Sequence, residues 1–419
     1  MTVALLSKPV GLLKCQINSY LKTFKTTVIS CSQTPKNPKE YELILEDTIL
    51  FPEGGGQPYD FGTVNQTPVS KVLRKGLTAV HYVDTPFEAG AEVELNLDFE
   101  RRWDFMQQHS GQHLLSAILE NDYKMDTLSW ELGKTQCHIQ IKSVKGIVLN
   151  KEFLDEVEKK CNDAIIKNVF VTSEVEDFND TERPESLPAD YVGGVIRHIV
   201  IEGIDRNPCC GTHVTSLSHC QCIKLGVPET IPGGNYRLPF WVGSRVMKYL
   251  SAAISTEKQL NNLLSVGPEG HIDATKRLLQ TQRELNRAIK NFTKEVSNNA
   301  AQDIISQIEA GKKVVSVHRE DGNLDYVFHI GSVVSPVLQK IHAKDDSNSH
   351  VVIVSAGQKK TGGPIMVFGK DELVSKVSGE ITKSIPGVKG GGKGAKWQGK
   401  STTWKELEST IAKIASLEL

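Results

Sequence analysis

The stretch Arg101-Arg-Trp-Asp-Phe-Met-Gln-Gln-His-Ser-Gly-Gln-His-Leu-Leu-Ser-Ala-Ile-Leu-Glu120 contains no Pro and a single Gly, Gly111, and reads as a helix over 101–120. His109 and His113 are four residues apart, so on that helix they stand one turn apart on the same face. About a hundred residues later, Cys209-Cys-Gly-Thr-His213 follows Pro208 and offers a thiolate and a third imidazole from a loop. This N/S donor set suits Zn²⁺ better than Mg²⁺ or Ca²⁺. Each half alone is ambiguous, because His pairs are often only hydrogen-bonded and thiols often only buried. No Glu follows His109, so the general base of an HExxH metalloprotease is missing.

A third segment, Phe51-Pro-Glu-Gly-Gly-Gly-Gln-Pro-Tyr-Asp-Phe-Gly62, precedes the other two. Taken in this order and at these distances, the three segments resemble the editing domain of alanyl-tRNA synthetase. They are more specifically similar to the freestanding AlaX editing proteins of the longer type, which carry a further C-terminal domain. The resemblance continues through Ser129-Trp-Glu-Leu-Gly133 and Arg237-Leu-Pro-Phe-Trp-Val-Gly-Ser-Arg245. It returns in Gly387-Val-Lys-Gly-Gly-Gly-Lys-Gly-Ala-Lys-Trp-Gln-Gly399, so it spans most of the chain. Cys210 departs from the family, where Gly-Gly more often follows the motif Cys.

The resemblance implies an α+β multidomain fold. Residues 1–98 would form a β-barrel with the Gly-rich loop, and 99–250 an editing domain with the zinc site. Residues 251–310 would be a helical hairpin or linker, and 311–419 a synthetase-like C-terminal α/β domain. It implies one Zn²⁺ held by His109, His113, Cys209 and His213. The implied reaction is hydrolysis of the ester joining a wrong amino acid to tRNA for alanine, chiefly serine, with glycine as the second candidate. The need for such an activity is physical: an alanine pocket cannot strongly reject glycine, or an isostere that only adds a hydroxyl. Gly54, Gly55 and Gly56 would let the backbone approach the aminoacyl group closely. Gln57 and Thr212 are candidate substrate contacts and candidate catalytic partners of a zinc-bound water, whose pKa falls from 15.7 to about 7. Four protein ligands would fill a tetrahedral site, whereas catalytic zinc usually keeps one position open. Glu53 reads equally well as a solvated loop charge.

At 419 residues the chain is too long for one core. Its 39% hydrophobic and 24% charged content is that of an ordinary globular protein. A formal net charge of −1 gives no bulk attraction to nucleic acid, so any RNA contact must be local. The eight Cys, with no secretory signal, read as reduced thiols or metal ligands in a cytoplasmic setting. The pair Cys220 and Cys222, with His219, lacks a second ligand pair and reads as core or surface thiols.

Strands are expected at Thr26–Ser30, Tyr41–Glu46, Thr78–Val83 and Ala91–Leu97. A second set follows at Cys137–Ile141, Val169–Glu174 and Val195–Ile201, with a helix at 151–167. Leu278, Leu285 and Phe292 mark an apolar stripe on a long helix, expected to pack on its own domain. Strands at Lys313–Val317, Asp325–Ile330 and His350–Ser355 then precede a Gly/Lys loop and a terminal helix, Trp404–Leu417. In that loop Lys389, Lys393, Lys396 and Lys400 suit phosphate contact and Trp397 suits base stacking, which points to tRNA. The rival to the hydrolase reading is a non-catalytic tRNA-binding or scaffold protein that keeps the editing fold.

Overall fold

A computed structural model describes residues 6–35, 37–177, 190–344 and 349–417. The chain divides into two compact units, residues 1–259 and 260–419.

The first unit opens with a four-residue helix, α1 (Lys14–Ile17), and seven strands: β1 (Thr23–Gln33), β2 (Tyr41–Leu45), β3 (Gly62–Val64), β4 (Thr67–Val69), β5 (Lys71–Lys75), β6 (Thr78–Val83) and β7 (Glu92–Leu97). They pair in the order β4-β3-β7-β1-β2-β6-β5. The two outermost strands, β4 and β5, are separated in the chain only by Ser70. A sheet whose first and last strands are chain neighbours must curl back on itself, so this one is nearly closed, as a barrel. Val28, Leu43, Leu50, Val72 and Leu95 fill its interior. Sequence reading found four of the seven strands and missed β3, β4 and β5, two of which are only three residues long and so leave little pattern to read.

Helix α2 (Phe99–Tyr123) follows directly. Asp98 caps it by accepting from the Arg101 amide, and Lys124 ends it in the left-handed conformation at φ +58°. The helix is fixed to the barrel by Arg102, which is fully buried. Its Nε donates to both Asp60 carboxylate oxygens at 3.2 and 3.0 Å, and its two terminal nitrogens reach the carbonyls of Ser19 and Ile49. Removing one partner of such a buried pair costs about 3–5 kcal/mol.

Helices α2 and α3 (Lys151–Ile166) cover an antiparallel sheet. Its main path is β13 (Ile223–Leu225), β15 (Tyr236–Val242), β9 (Cys137–Ile141) and β8 (Thr127–Glu131), with β14 (Glu229–Thr230) paired to β15. At Gly111 the helix touches this sheet: a Cβ there would lie 2.4 Å from Val242, so only glycine allows the approach. A separate three-stranded sheet joins β10 (Val171–Asp177), β11 (Val195–Ile201) and β12 (Asp205–Pro208), which delivers the chain to Cys209. Helix α4 (Ser244–Leu264) carries the chain out of this unit.

The second unit holds α5 (His271–Glu309) and the strands β16 (Val314–Arg319), β17 (Val351–Ala356), β18 (Gly363–Gly369), β20 (Lys396–Ser401) and β19 (Lys389–Lys393), paired in that order. Helix α6 (Leu324–Lys344) makes the crossover between the parallel strands β16 and β17. One face of the sheet packs on α5 and α6, the other on α7 (Asp371–Ser384) and α8 (Leu407–Ala415).

Three expectations change here. Asp325–Ile330 is not a strand but the first turns of α6. Asn323 accepts from the Tyr326 amide, and Tyr326, Val327, Ile330, Val334 and Leu338 are buried at helical spacing. The short window that read as β-prone hid that longer period. The Gly/Lys segment is not a loop but the hairpin β19–β20, since backbone pairing needs no side chains to pack. On α5, Ala301, Ile304 and Ile308 enter the core, but Leu278, Leu285 and Phe292 are each more than half exposed. Apart from Ala274 near its start, the apolar stripe is therefore covered only over the last third of the helix.

Candidate metal centre

The two halves of the candidate ligand set come from different kinds of element. His109 and His113 stand one turn apart on α2, and Cys209 and His213 flank the turn after β12. Their potential ligand atoms all lie within 4.8 Å of one another, and no other such group of three or more occurs among the described residues. Cys209 Sγ is 3.5 Å from His109 Nε2 and 3.3 Å from His213 Nε2. Around a tetrahedral Zn²⁺, bond lengths of 2.3 Å to sulfur and 2.0–2.1 Å to nitrogen would place S and N roughly 3.5 Å apart. The donor set and its spacing therefore fit a zinc-sized ion, and the buried cluster can hold one.

The remaining ring nitrogens explain how the imidazoles are oriented. His109 Nδ1 lies 3.0 Å from Gln57 Oε1, and His213 Nδ1 lies 3.1 Å from Ser110 Oγ. Proton donation from each Nδ1 leaves Nε2 with its lone pair facing the cluster. His113 Nδ1 is 3.9 Å from the Asp205 carboxylate, and is buried without a hydrogen-bond partner.

Burial dominates the electrostatics. It pushes His113 down to about 4, and holds His109 and His213 well below the ordinary imidazole range, with the neighbouring imidazoles adding to the effect. All three are thus neutral, which is the ligand form. Burial also pushes the Cys209 thiol up to about 12, although the Gly211 amide, 3.3 Å from Sγ, works against it. Because the thiolate is the ligand form of cysteine, a metal bound in this cluster would release the Cys209 proton.

The Cys209 loop is held by a residue the sequence did not single out. Arg197, buried on β11, donates to the carbonyls of Cys209 and Gly211 at 2.9 Å each and to Gln16 O at 3.0 Å. An isolated Arg in an apolar strand pattern was the available signal. Gly211 sits against His109: an added Cβ would be 2.2 Å from its Cε1.

Gln57 and Thr212, expected at the substrate, are both fully buried, and neither lines the cavity beside the centre. Gln57 Oε1 accepts from the Thr212 amide at 3.0 Å as well as facing His109, and its Nε2 donates to Thr212 Oγ1 at 2.9 Å. Every polar atom of the Gln57 side chain is committed inside the protein. Gly54, Gly55 and Gly56 do line the cavity, whose volume is about 570 Å³. Gly56, at φ +77°, lies under the Trp130 ring, where a Cβ would approach to 2.5 Å. Trp130 in turn packs against His109, with ring centroids 4.9 Å apart and planes tilted by 44°. Gln112, His113, Ser116, Arg197 and Cys209 complete much of the wall. Glu53 is exposed and off this wall.

Cys220 is buried in the core beneath α2, as expected of a structural thiol. The four lysines of the C-terminal hairpin are exposed, and register puts them together: Lys389 pairs with Lys400 and Lys393 with Lys396. Directly opposed residues share a face, and a spacing of four keeps it, so all four lysines project from one side. Trp397 projects from the other and is buried among Ile365, Val367 and Val374, so it is a core residue and not a stacking platform.

A curled barrel, a helix-borne His pair and a Cys/His turn closing over a glycine loop define an α+β protein built around a His/Cys cluster that can hold a metal ion. No family model matches the chain. It is 35% identical over 402 residues to the alanyl-tRNA editing protein Aarsd1 of Rattus norvegicus, covering 93% of each. It is also 35% identical over 437 residues to the putative alanyl-tRNA editing protein alaX of Saccharomyces cerevisiae, covering 95% of each. An alanine–tRNA ligase of Methanococcus vannielii is 28% identical over 87% of this chain, and the match takes in 40% of that enzyme. The chain belongs to the alanyl-tRNA editing protein family.

Proposed function

We propose that this chain is a trans-editing hydrolase that deacylates mischarged tRNA for alanine, chiefly seryl-tRNA and also glycyl-tRNA, with one Zn²⁺ held by His109, His113, Cys209 and His213. The observation that carries the reading is the buried His-His-Cys-His cluster opening onto a cavity floored by Gly54–Gly56. Zinc held there would supply Lewis-acid polarisation of an ester carbonyl. The chain's own residues set the rest. Gln57 fixes the His109 tautomer, Ser110 does the same for His213, and Thr212 locks Gln57 in place. In this reading Gln57 and Thr212 act by positioning rather than by touching substrate. Gly55 and Gly56 have positive φ, so the loop backbone can lie close to an aminoacyl group where a side chain would intrude. Trp130 supplies an aromatic wall.

The lysine face of β19–β20 supplies tRNA affinity, because the near-neutral chain has no bulk field to do so. A cytoplasmic setting agrees with eight free cysteines, and no helix among the described residues is long and apolar enough to cross a membrane. The alternative, a tRNA-binding protein that retains the fold without the activity, is disfavoured by the intact ligand set. The test is deacylation of seryl-, glycyl- and alanyl-tRNA for alanine, with and without chelator. Seryl-tRNA should be cleaved fast, alanyl-tRNA slowly, and chelation should abolish cleavage. Equal rates on seryl- and alanyl-tRNA would indicate a general esterase instead.

A further inference from the structure

An editing site that spares alanine must hold a polar group that a serine hydroxyl satisfies and a methyl group cannot. Gln112 has the required properties. It immediately precedes His113 on α2, is only 4% exposed, and lines the same cavity as His113 and Cys209. Its amide is anchored at one end: Nε2 donates to Ser116 Oγ at 2.9 Å, one helical turn further on. Ser116 Oγ also accepts from Thr127 Oγ1 at 2.8 Å, so the anchor is itself tied to β8. The other end is free. Gln112 Oε1 is buried and has no hydrogen-bond partner. A buried carbonyl oxygen left unpaired is rare and costly, and a fixed one at the wall of a binding cavity awaits a donor from the ligand.

Resting on the editing function proposed above, we infer that Gln112 is the specificity-determining residue of the cavity: its free amide oxygen accepts the hydrogen bond of a β-hydroxyl on the aminoacyl group. Seryl esters satisfy it. Alanyl esters place a methyl group beside it and leave it unpaired, and glycyl esters leave it open to water. A site built to bond a hydroxyl rejects the analogue that lacks it much more strongly than an apolar pocket rejects an added one. Ser116 and Thr127 act through Gln112 as positioning residues, holding the oxygen at one place on the wall.

The test substitutes Gln112→Met, which keeps length and approximate volume and removes the acceptor. Two readouts are needed besides zinc content, which should stay at the wild-type value. In deacylation, kcat/KM on seryl-tRNA for alanine should fall about ten- to a hundred-fold, the usual consequence of one unmade buried hydrogen bond. The value on glycyl-tRNA should hold. In binding, wild-type protein should prefer an amide-linked seryl-adenosine analogue to its alanyl counterpart by a similar factor, and Gln112→Met should abolish that preference. Gln112→Glu retains an acceptor oxygen and should recover part of it. Should Gln112→Met fail to fold, Ser116→Ala, which frees the amide to rotate, should still narrow the seryl preference. Loss of seryl and glycyl activity by the same factor would mean that Gln112 only packs the helix, and would overturn the inference. So would an unchanged seryl preference in the Met and Ala variants, or no preference in the wild type. A wild type inactive on every mischarged tRNA yet still preferring the seryl analogue would refute the hydrolase reading while leaving the recognition role standing.

Discussion

Substituting Gly211→Ala tests the metal centre without touching a ligand. Gly211 does not occupy the positive-φ region, so its backbone suits alanine, and the substitution acts through sterics alone. The new methyl would sit 2.2 Å from His109 Cε1, 2.4 Å from His109 Nδ1 and 2.9 Å from Gln57 Oε1. Carbon atoms rest at about 3.5–4.0 Å, so ring and loop must separate by more than about 1 Å. The ring has little room to yield, because Trp130 packs against it and Gln57 holds its Nδ1. The loop is equally held, by Arg197 through the Cys209 and Gly211 carbonyls. Overpacking of this kind costs about 1–3 kcal/mol of stability. Its effect on metal should be greater, since ligand distances tolerate only about 0.2 Å and disturbing the partners that orient ligands typically lowers affinity by about ten- to a hundred-fold. Competition with a calibrated chelator measures the affinity, and thermal unfolding of the metal-free protein separates it from general destabilisation. Wild-type zinc affinity in a folded Gly211→Ala protein would refute the argument that His109 and the Cys209 turn converge on one ion.

Elemental analysis should find about one zinc per chain, lost when His109→Ala and Cys209→Ala are combined, whereas Cys220→Ala with Cys222→Ala should retain it; full retention in the first variant would remove the ligand assignment. His81 gives a pH dependence remote from the centre: burial on β6 pushes it down to about 4, with its ring on Thr48 Oγ1 and Leu43 O. The unfolded chain takes up that proton near pH 6.5 while the fold resists until about 4, so the stabilisation is present above pH 6.5 and is lost as pH falls through this window. The loss by pH 4 is about 3 kcal/mol, and urea titrations of His81→Asn against wild type should show a shallower decline over that interval; parallel curves would dismiss His81 as the cause. Replacing Lys389, Lys393, Lys396 and Lys400 together by Ala should weaken tRNA binding, with zinc content unchanged. The salt dependence of that binding should flatten by roughly one unit of slope for each phosphate no longer neutralised. Identical affinity and slope would move the tRNA-binding face elsewhere.

The His/Cys cluster was legible because each half of its geometry is written in local spacing. A separation of four on a helix fixes His109 and His113 on one face whatever the rest of the chain does, and the Cys209–His213 turn repeats that spacing. Long, regular elements were equally legible: α2 and α3, and the strands β6, β9 and β11, follow from periodicity. The short strands β3 and β4 were not, because three residues carry no period. Helix α6 was misread for a related reason. The Asp325–Ile330 window is rich in residues that also suit strands, and only burial over several turns shows which period governs.

What the sequence could not supply is the pairing of groups far apart in the chain. Gln57 and His109 are 52 residues apart, and Arg197 reaches Gln16 across 181. A side-chain amide near a motif looks like a substrate contact until the fold shows its oxygen and nitrogen already bonded, as for Gln57, or one of them left free, as for Gln112. Sequence alone determined which atoms can bind a metal, because donor chemistry and helical spacing are local properties. Only the tertiary structure decided which polar groups are consumed in holding those atoms and which remain open to a ligand, because hydrogen-bond satisfaction depends on burial and on partners that folding brings together.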